Sequence, residues 1–195
     1  GNISVKNGLV ISNRIDGETI YLYSMNVDGN TFEGKSLKTS YCFVYNNNVS
    51  TANVTSVQDI QKYVTYNNCE LQIGIDTDYS KTMRISALSQ IQFNNCTFSK
   101  FAANVNGSNF INCGSIAITT HIEKRSEFDL TGNYWDGLNT VELDFKGDGS
   151  NMSFINDYYD DFNLTKVLYS NWMGSAVSDS GYQGEGFGKD ELTTT

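Results

Sequence analysis

The chain has 195 residues, enough for one domain with a sizeable hydrophobic core. Its composition, 39% hydrophobic, 13% aromatic and 18% charged, excludes a disordered tail. The net charge of −9 and a longest basic run of only Lys124-Arg125 exclude a nucleic-acid partner, and no apolar run approaches the roughly 20 residues that membrane insertion requires.

The first predicted strands carry rows of aromatic residues. Tyr21 and Tyr23 are two residues apart, as are Tyr41, Phe43 and Tyr45, so each set lies on one face of a strand. We predict that Phe43 belongs to the core. The four tyrosines are candidate ligand-binding residues, because exposed rings can stack on sugars, whereas buried rings would only fill the interior.

An asparagine-containing corner recurs along the chain. The strings "VTYNNCEL" (64–71), "IQFNNCTF" (91–98) and "SNFINCGSI" (108–116) share it. Its clearest copies are Asn68-Cys69, Asn95-Cys96 and Asn112-Cys113. With looser copies included, the corner asparagines are Asn30, Asn48, Asn68, Asn95, Asn112, Asn133 and Asn156, in steps of 17 to 27 residues. Such irregular self-similarity indicates a repeat architecture.

The residues between these corners alternate apolar and polar, as in Ile91 and Phe93 and in "VELDF" (141–145). A period of two predicts strands with one buried face, and no stretch of ten or more residues shows helical spacing. Short strands in units of about 20 residues predict an all-β fold, a single-stranded parallel β-helix of about seven coils. Asparagine suits the corner because it tolerates a left-handed backbone.

In this fold the cysteine is the first inward-pointing residue after the corner. Cys69, Cys96 and Cys113 are therefore expected to form a buried structural ladder with the asparagines before them. Stacked side chains point in parallel, which is poor geometry for a disulfide. Disulfides, with Cys42 as a fourth partner, and a metal site remain the alternatives, although no CxxC exists and His121 is the sole histidine.

The end of the chain carries the most specific signal, in "GNYWDG" (132–137) and "INDYYDDFNLTKVLYSNWM" (155–173). Both strings resemble the closing segment of right-handed parallel β-helix proteins of bacterial and archaeal cell surfaces, within the pectate-lyase-like superfold. The resemblance implies a right-handed solenoid over 1–173 with a C-terminal cap, in which Trp135 and Trp172 close the end. It also implies an extracellular or cell-surface location. Departures from that pattern are Asp136, Thr165 and Asn171.

Two acidic groups are candidate sites of chemistry. Asp157, Asp160 and Asp161 could share a Ca²⁺, although the resemblance implies a turn with its charges in water, and we expect no cofactor. The loop "GIDTDYSKTMR" (74–84) brings together Asp76, Asp78, Lys81 and Arg84. Pectate-lyase-like enzymes use such carboxylates around calcium with an arginine base, so these four are the candidate catalytic residues. A solvated loop is the favoured interpretation.

Residues 174–195 are rich in Gly, Ser and Asp and show no strand period, which indicates a linker or tail. The chain begins Gly1-Asn2, which we interpret as a piece cut from a longer protein with other domains.

The functional hypothesis is a non-catalytic extracellular module of a larger surface or secreted protein, for adhesion, spacing or carbohydrate binding. Its partner would be a glycan or a ligand on a host or cell surface. The alternative is a polysaccharide lyase or glycoside hydrolase of the β-helix class.

Overall fold

The computed structural model describes residues 1–6, 9–11, 14–74, 85–118 and 127–184. The elements are β1 (Asn2–Lys6), β2 (Leu9–Ile11), β3 (Arg14–Tyr23), β4 (Asn26–Asp28), β5 (Thr31–Ser40), β6 (Phe43–Tyr45), β7 (Asn48–Val57), β8 (Ile60–Lys62), β9 (Thr65–Asn67), β10 (Glu70–Gly74), β11 (Ser86–Ser89), β12 (Gln92–Asn94), β13 (Thr97–Phe101), β14 (Ala103–Asn106), β15 (Asn109–Ile111), β16 (Ile116–Ile118), β17 (Glu127–Asp129), β18 (Tyr134–Trp135), α1 (Gly137–Lys146), β19 (Ile155–Asn156) and β20 (Lys166–Leu168).

The strands wind into a parallel β-solenoid of about six turns. Every pairing between the described strands is parallel, and strands pair with those of the neighbouring turn. The six-stranded sheet, ordered β14-β11-β8-β6-β4-β2, receives one strand from each turn. The twelve-stranded sheet receives two segments from each turn, which the long strands β3, β5 and β7 span without a break. The prediction of an all-β parallel solenoid is confirmed.

One turn takes 17 residues, fewer than the asparagine spacing suggested. Arg14 pairs with Thr31, and Thr31 pairs with Asn48. The register from Thr65 to Gln92 is 27 residues, because the chain carries ten additional residues at 75–84, outside the described part. The solenoid has about six turns, where the sequence analysis expected about seven coils.

The irregular spacing came from combining different positions of the turn. Asn30 and Asn133 follow glycines with positive φ at one corner, and they are buried. Asn48 and Asn156 lie within strands. Only Asn68, Asn95 and Asn112 belong to one equivalent corner.

Among the described residues, left-handed residues occur at three corners of the solenoid, at corner I in the early turns, at corner III in the later turns and at corner II throughout. Corner I has Ser24, Tyr41 and Gln58; corner II has Gly29, Asn46, Tyr63, Gln90, Gly107 and Gly132; corner III has Asn68, Asn95 and Asn112. The backbone at these positions has φ between 49° and 69°. A left-handed residue turns the chain sharply between two strands. Asn and Gly adopt this conformation with the lowest cost in free energy.

In the early turns, the position of corner III lies within a continuous strand. Strands β3 and β5 run through it as ten-residue elements that contain Gly17 and Gly34. Gly34 has φ 120°, and a Cβ at this position would lie 2.2 Å from the carbonyl oxygen of Gly17. Only glycine permits this close approach of two stacked backbones.

An aromatic column runs through the core parallel to the solenoid axis. Tyr66, Phe93, Phe110 and Trp135 occupy equivalent inward positions of successive turns. The ring centroids are 5.7, 4.8 and 4.3 Å apart in that order, with stacked planes. Stacked aromatic pairs add to the hydrophobic free energy of burial.

The prediction of a strand at residues 141–145 is wrong. These residues lie in α1, where Leu143 is buried while 64% of Val141 and 87% of Phe145 is exposed. The side chain of Asp136 accepts a hydrogen bond from the backbone N–H of Gly137 and caps the helix, and Lys146 pairs with Glu142 one turn earlier. The cap and the ion pair favour a helix, and an alternating pattern of only five residues is too short to predict a strand here.

Candidate functional site

The predicted tyrosines lie on the outward side of β3 in the twelve-stranded sheet, at corner I, and on β6 in the six-stranded sheet. Asn26, Phe43 and Ile60 form one outward row in register, and Asp28, Tyr45 and Lys62 form the next. We call the following set the aromatic face: Tyr21, Tyr23, Tyr41, Phe43, Tyr45 and Tyr63.

The rings of the aromatic face contact each other in two groups. The Tyr23 centroid lies 6.4 Å from that of Tyr21 and 5.4 Å from that of Tyr41. At the other end of β6, near corner II, the centroids of Tyr45 and Tyr63 are 5.5 Å apart. All five tyrosines are half-buried. Within each group, the rings are therefore held in place by their neighbours.

Phe43 lies between the two groups, and 51% of it is exposed. The prediction that Phe43 belongs to the core is wrong, because the register places it outward while its neighbour Val44 faces the interior. Tyr63 was missed by the sequence analysis. It follows Asn46 by one 17-residue turn at corner II, a signal that becomes visible only once the true period is known.

Two lysines lie over the edges of this face. The Lys38 Nζ is 5.6 Å from the Tyr21 ring centroid, and the Lys62 Nζ is 4.6 Å from that of Tyr63. A cation over an aromatic ring is attracted by its electron-rich face, so these contacts orient both partners. They also place positive charge at a surface of a chain whose net charge is −9.

The corner cysteines form a column inside the solenoid. Each sulfur lies near the carbonyl oxygen two residues earlier and near a carbonyl of the preceding turn: Cys69 near Asn67 and Val49, Cys96 near Asn94 and Tyr66, Cys113 near Ile111 and Phe93. Cys96 also lies within hydrogen-bonding reach of the thiols of Cys69 and Cys113. All four cysteines of the chain are free thiols. The hydrogen bond with Cys96, and then burial, raise the pKa of Cys69 and Cys113.

The asparagines before these cysteines are linked outside the column. The Nδ2 of Asn95 donates to the Oδ1 of Asn68 at 3.3 Å. The backbone N–H of Asn112 donates to a carboxylate oxygen of Asp136 at 2.8 Å. This corner is therefore a structural element, with outward amides and inward thiols stacked in separate rows.

Cys42 lies at the inner side of corner I. From its environment we predict that the stability of the fold depends on pH. Burial, followed by the charge of Asp59, raises the pKa of the Cys42 thiol from 9.0 to about 11. Between pH 9 and 11 the unfolded thiol ionises while the folded thiol stays neutral, so the unfolded state binds fewer protons and stability falls as pH rises. Urea denaturation at pH 8.5 and 10.5 should show this fall, and the Cys42→Ala variant should show a smaller one. An equal fall in both proteins would contradict the assignment.

A polar network that sequence analysis missed lies inside the solenoid next to Cys42. The carboxylate of Asp59 accepts hydrogen bonds from Thr39 Oγ1 at 2.5 Å, Cys42 N at 2.7 Å and Ser56 Oγ at 2.6 Å. Asp59 is fully buried. A buried carboxylate is tolerated when its oxygens are satisfied in this way.

The network continues into the row of inward residues. Gln61 donates to Ser56 Oγ at 2.8 Å and accepts from the Tyr66 hydroxyl at 2.6 Å. Burial, followed by the charge of Asp59, raises the pKa of Tyr66 well above its usual value, so this hydroxyl remains a donor. All these polar groups are inside the solenoid, and their role is structural.

The acidic group near the C-terminus is engaged in turn formation. The carboxylate of Asp157 is buried and accepts from the backbone N–H groups of Tyr159 at 3.1 Å and Val167 at 3.0 Å, and burial raises its pKa. Asp160 accepts from Asn151 and Asp161 accepts from Asn163. Among the described residues, no three His, Cys, Asp or Glu side chains come together as metal ligands. The contacts of these three aspartates therefore give no support to the hypothesis that they share a Ca²⁺.

The two tryptophans occupy different environments. Trp135 is buried at the end of the aromatic column, stacked on Phe110 and 5.2 Å from the Phe154 ring centroid. Trp172 is partly buried against the core, and its Nε1 donates to Asp144 Oδ1 at 2.8 Å. Asp144 belongs to α1, so Trp172 links this helix to the end of the solenoid.

The candidate catalytic residues Asp76, Asp78, Lys81 and Arg84 lie outside the described residues, as does His121. The flanking residues Gly74 and Ile85 show only where the ten-residue insertion leaves and rejoins the solenoid.

Comparisons with known proteins found no matching family model, no similar curated protein and no similar solved structure. Within the described ranges, the chain forms no helix with the length and apolar character needed to cross a membrane.

Proposed function

We propose that this chain is a non-catalytic β-solenoid module that binds carbohydrate through its aromatic face. The observation that supports the proposal best is the exposure of Phe43 between two groups of half-buried tyrosines. Exposed aromatic rings close to one another are unfavourable in water and are typical of binding surfaces. Tyrosine adds a hydroxyl that hydrogen-bonds while its ring stacks.

The shape of the surface favours a chain-like ligand. Parallel strands of adjacent turns are about 4.8 Å apart, so Asn26, Phe43 and Ile60 form a regular row along the solenoid axis. Lys38 and Lys62 at the edges add positive charge. We expect an extended glycan that lies along this row, with acidic sugars bound more tightly than neutral ones.

The location and the finer architecture belong to the same proposal. We expect a right-handed solenoid, because crossovers between parallel strands are almost always right-handed. We assign residues 133–173 to a C-terminal cap, in support of which Trp135 ends the aromatic column and Trp172 contacts α1. The expected context is an extracellular or cell-surface protein with further domains, which the resemblance of the closing segment supports.

A glycan array followed by calorimetric titration tests the binding function. Phe43→Ala and Tyr63→Ala should each weaken binding of the selected glycan by roughly tenfold or more, because each removes a ring contact of about 1 kcal/mol or more beyond buried area. Phe145→Ala is the matched control, since it removes an exposed ring from α1, and it should bind like the unchanged protein. Equal binding by all three variants, or no glycan bound at all, would contradict the proposal.

A further inference from the structure

Residues 177–184, which the sequence analysis assigned to a linker or tail, lie against the solenoid, with a turn at Ser178 and Asp179 and a bend at Gly181. We call them the tail segment. They pass over outward residues of successive turns, from the C-terminal turns back toward the N-terminal ones. These residues, which we call the peptide track, are Asn109, Gln92, Gln90, Thr65 and Asn46.

Two asparagines at the ends of the peptide track bind the backbone of the tail segment. The side chain of Asn109 accepts from the Val177 N–H at 2.7 Å and donates to the Val177 carbonyl at 2.9 Å. The side chain of Asn46 accepts from the Gln183 N–H at 2.8 Å and donates to the Gly184 carbonyl at 2.9 Å. A carboxamide that pairs with backbone donors and acceptors binds a peptide backbone whatever its side chains are.

Further backbone contacts lie between these two asparagines. The Tyr182 N–H donates to Thr65 Oγ1 at 2.8 Å, and the Gly181 N–H donates to the Gln90 carbonyl at 2.7 Å. Backbone groups of the tail segment thus contact four successive turns of the solenoid. The contacts are mainly polar, so the tail segment can leave without exposing a hydrophobic core.

Sequence selectivity comes from the centre of the tail segment. Gly181 is buried with φ +84°, and a Cβ there would lie 2.6 Å from Thr65 Oγ1 and 2.7 Å from Gln92 Cβ. Any other residue would collide with the track. Gln90 donates to the carboxylate of Asp179. Between Asp179 and Gly181, the Ser180 hydroxyl accepts from Asn109 Nδ2 at 2.5 Å and donates to Gln92 Oε1 at 3.2 Å. The track therefore selects an Asp-Ser-Gly sequence, and its other contacts are to the peptide backbone.

We propose that the peptide track is a binding site for Asp-Ser-Gly peptides in the turned conformation of the tail segment, filled in cis by that segment and open to the same segment of a second copy of this chain. Gly174, Ser175 and Ala176 connect the tail segment to the solenoid and are exposed, so they can act as a hinge. Exchange of a terminal segment across such a hinge joins copies without new contacts.

A labelled peptide with the sequence of residues 175–184, SAVSDSGYQG, tests the site by fluorescence anisotropy. The full-length Gly181→Val variant has a displaced tail and should bind this peptide at least tenfold more tightly than the unchanged protein, whose track is occupied. Gly174→Val is the matched control, because a Cβ at Gly174 meets nothing within 4 Å, and it should behave like the unchanged protein. Asn109→Ala introduced together with Gly181→Val should weaken peptide binding at least fivefold.

Several outcomes would overturn the proposal. One is a folded Gly181→Val protein that does not bind the peptide, and another is equal binding of a peptide with valine in place of the glycine. Loss of the folded solenoid in Gly181→Val would also overturn it, because the tail segment would then be an integral part of the fold.

The second copy is tested by shortening the hinge. Deletion of Ser175 and Ala176 leaves one residue between Met173, which pairs with Tyr134, and Val177, which is bound by Asn109. We expect the shortened connection to prevent the tail segment from occupying its own track in the same register. Analytical ultracentrifugation should show concentration-dependent dimers for the deletion variant and fewer for the unchanged chain. A deletion variant that stays monomeric would contradict exchange between copies.

Discussion

Replacing Phe110 by alanine is expected to lower the free energy of unfolding by about 3–5 kcal/mol, the range for loss of a large buried aromatic side chain. Phe110 is fully buried at the middle of the aromatic column, between Phe93 at 4.8 Å and Trp135 at 4.3 Å. The backbone around the cavity is fixed by strand pairing to β12 and β18, so the cavity cannot collapse. Urea denaturation monitored by tryptophan fluorescence and circular dichroism measures the loss.

Two exposed phenylalanines provide matched controls for this change. Phe145 is 87% and Phe162 is 80% exposed, so their replacement by alanine should alter the free energy of unfolding by no more than about 0.5 kcal/mol. If Phe110→Ala were as mild as these two variants, the aromatic column would not be a continuous packed core.

Replacing Asp59 by alanine is expected to cost about 3 kcal/mol or more, because buried donors left without an acceptor cost about 1–3 kcal/mol each. The change would leave the Thr39 hydroxyl, the Ser56 hydroxyl and the Cys42 N–H without their carboxylate partner. Relief from burying a charge offsets part of this loss but leaves three unpaired donors. Chemical denaturation at pH 7 measures the change.

Asp148 is the matched control, since it is an exposed aspartate in the loop after α1. Asp148→Ala should change the free energy of unfolding by less than about 0.5 kcal/mol. Thermal melting should rank the two variants in the same order. Equal stability of Asp59→Ala and Asp148→Ala would show that the network around Asp59 does not stabilise the fold.

The buried polar network and the aromatic face belong to the same turns of the solenoid. Gln61 points inward from the strand whose neighbouring residues Ile60 and Lys62 lie in the outward rows beside the tyrosines. The network holds this strand to corner I through Ser56 and Asp59. We infer that it keeps the sheet under the aromatic face rigid, which lowers the entropic cost of binding a ligand.

The sequence by itself determined the type of fold and the character of corner III. Alternating apolar residues require a half-buried strand, and an asparagine before a cysteine indicates a left-handed residue followed by an inward one. These are local properties, and the positive φ of Asn68, Asn95 and Asn112 agrees with them. The same local reasoning placed Tyr21, Tyr23, Tyr41 and Tyr45 on strand faces. The structure has all four half-buried, but Tyr41 is a left-handed residue of corner I and not part of a strand.

Only the tertiary structure decided which positions are stacked and which faces are covered. The 17-residue period was hidden by the insertion at 75–84 and by the different corners that asparagine occupies. Phe43 and Val44 are adjacent apolar residues, and only their register against β4 and β8 shows which of them is exposed. Helix α1 and the tail segment have weak periodic signals in the sequence. Hydrogen bonds to Asp136, Asn109 and Asn46 hold them in place instead. The bonds that Asp136 and Asn46 make with distant residues join positions 24 and 138 apart, and the start of the helix depends on a single cap. A pattern along the chain therefore does not reveal them.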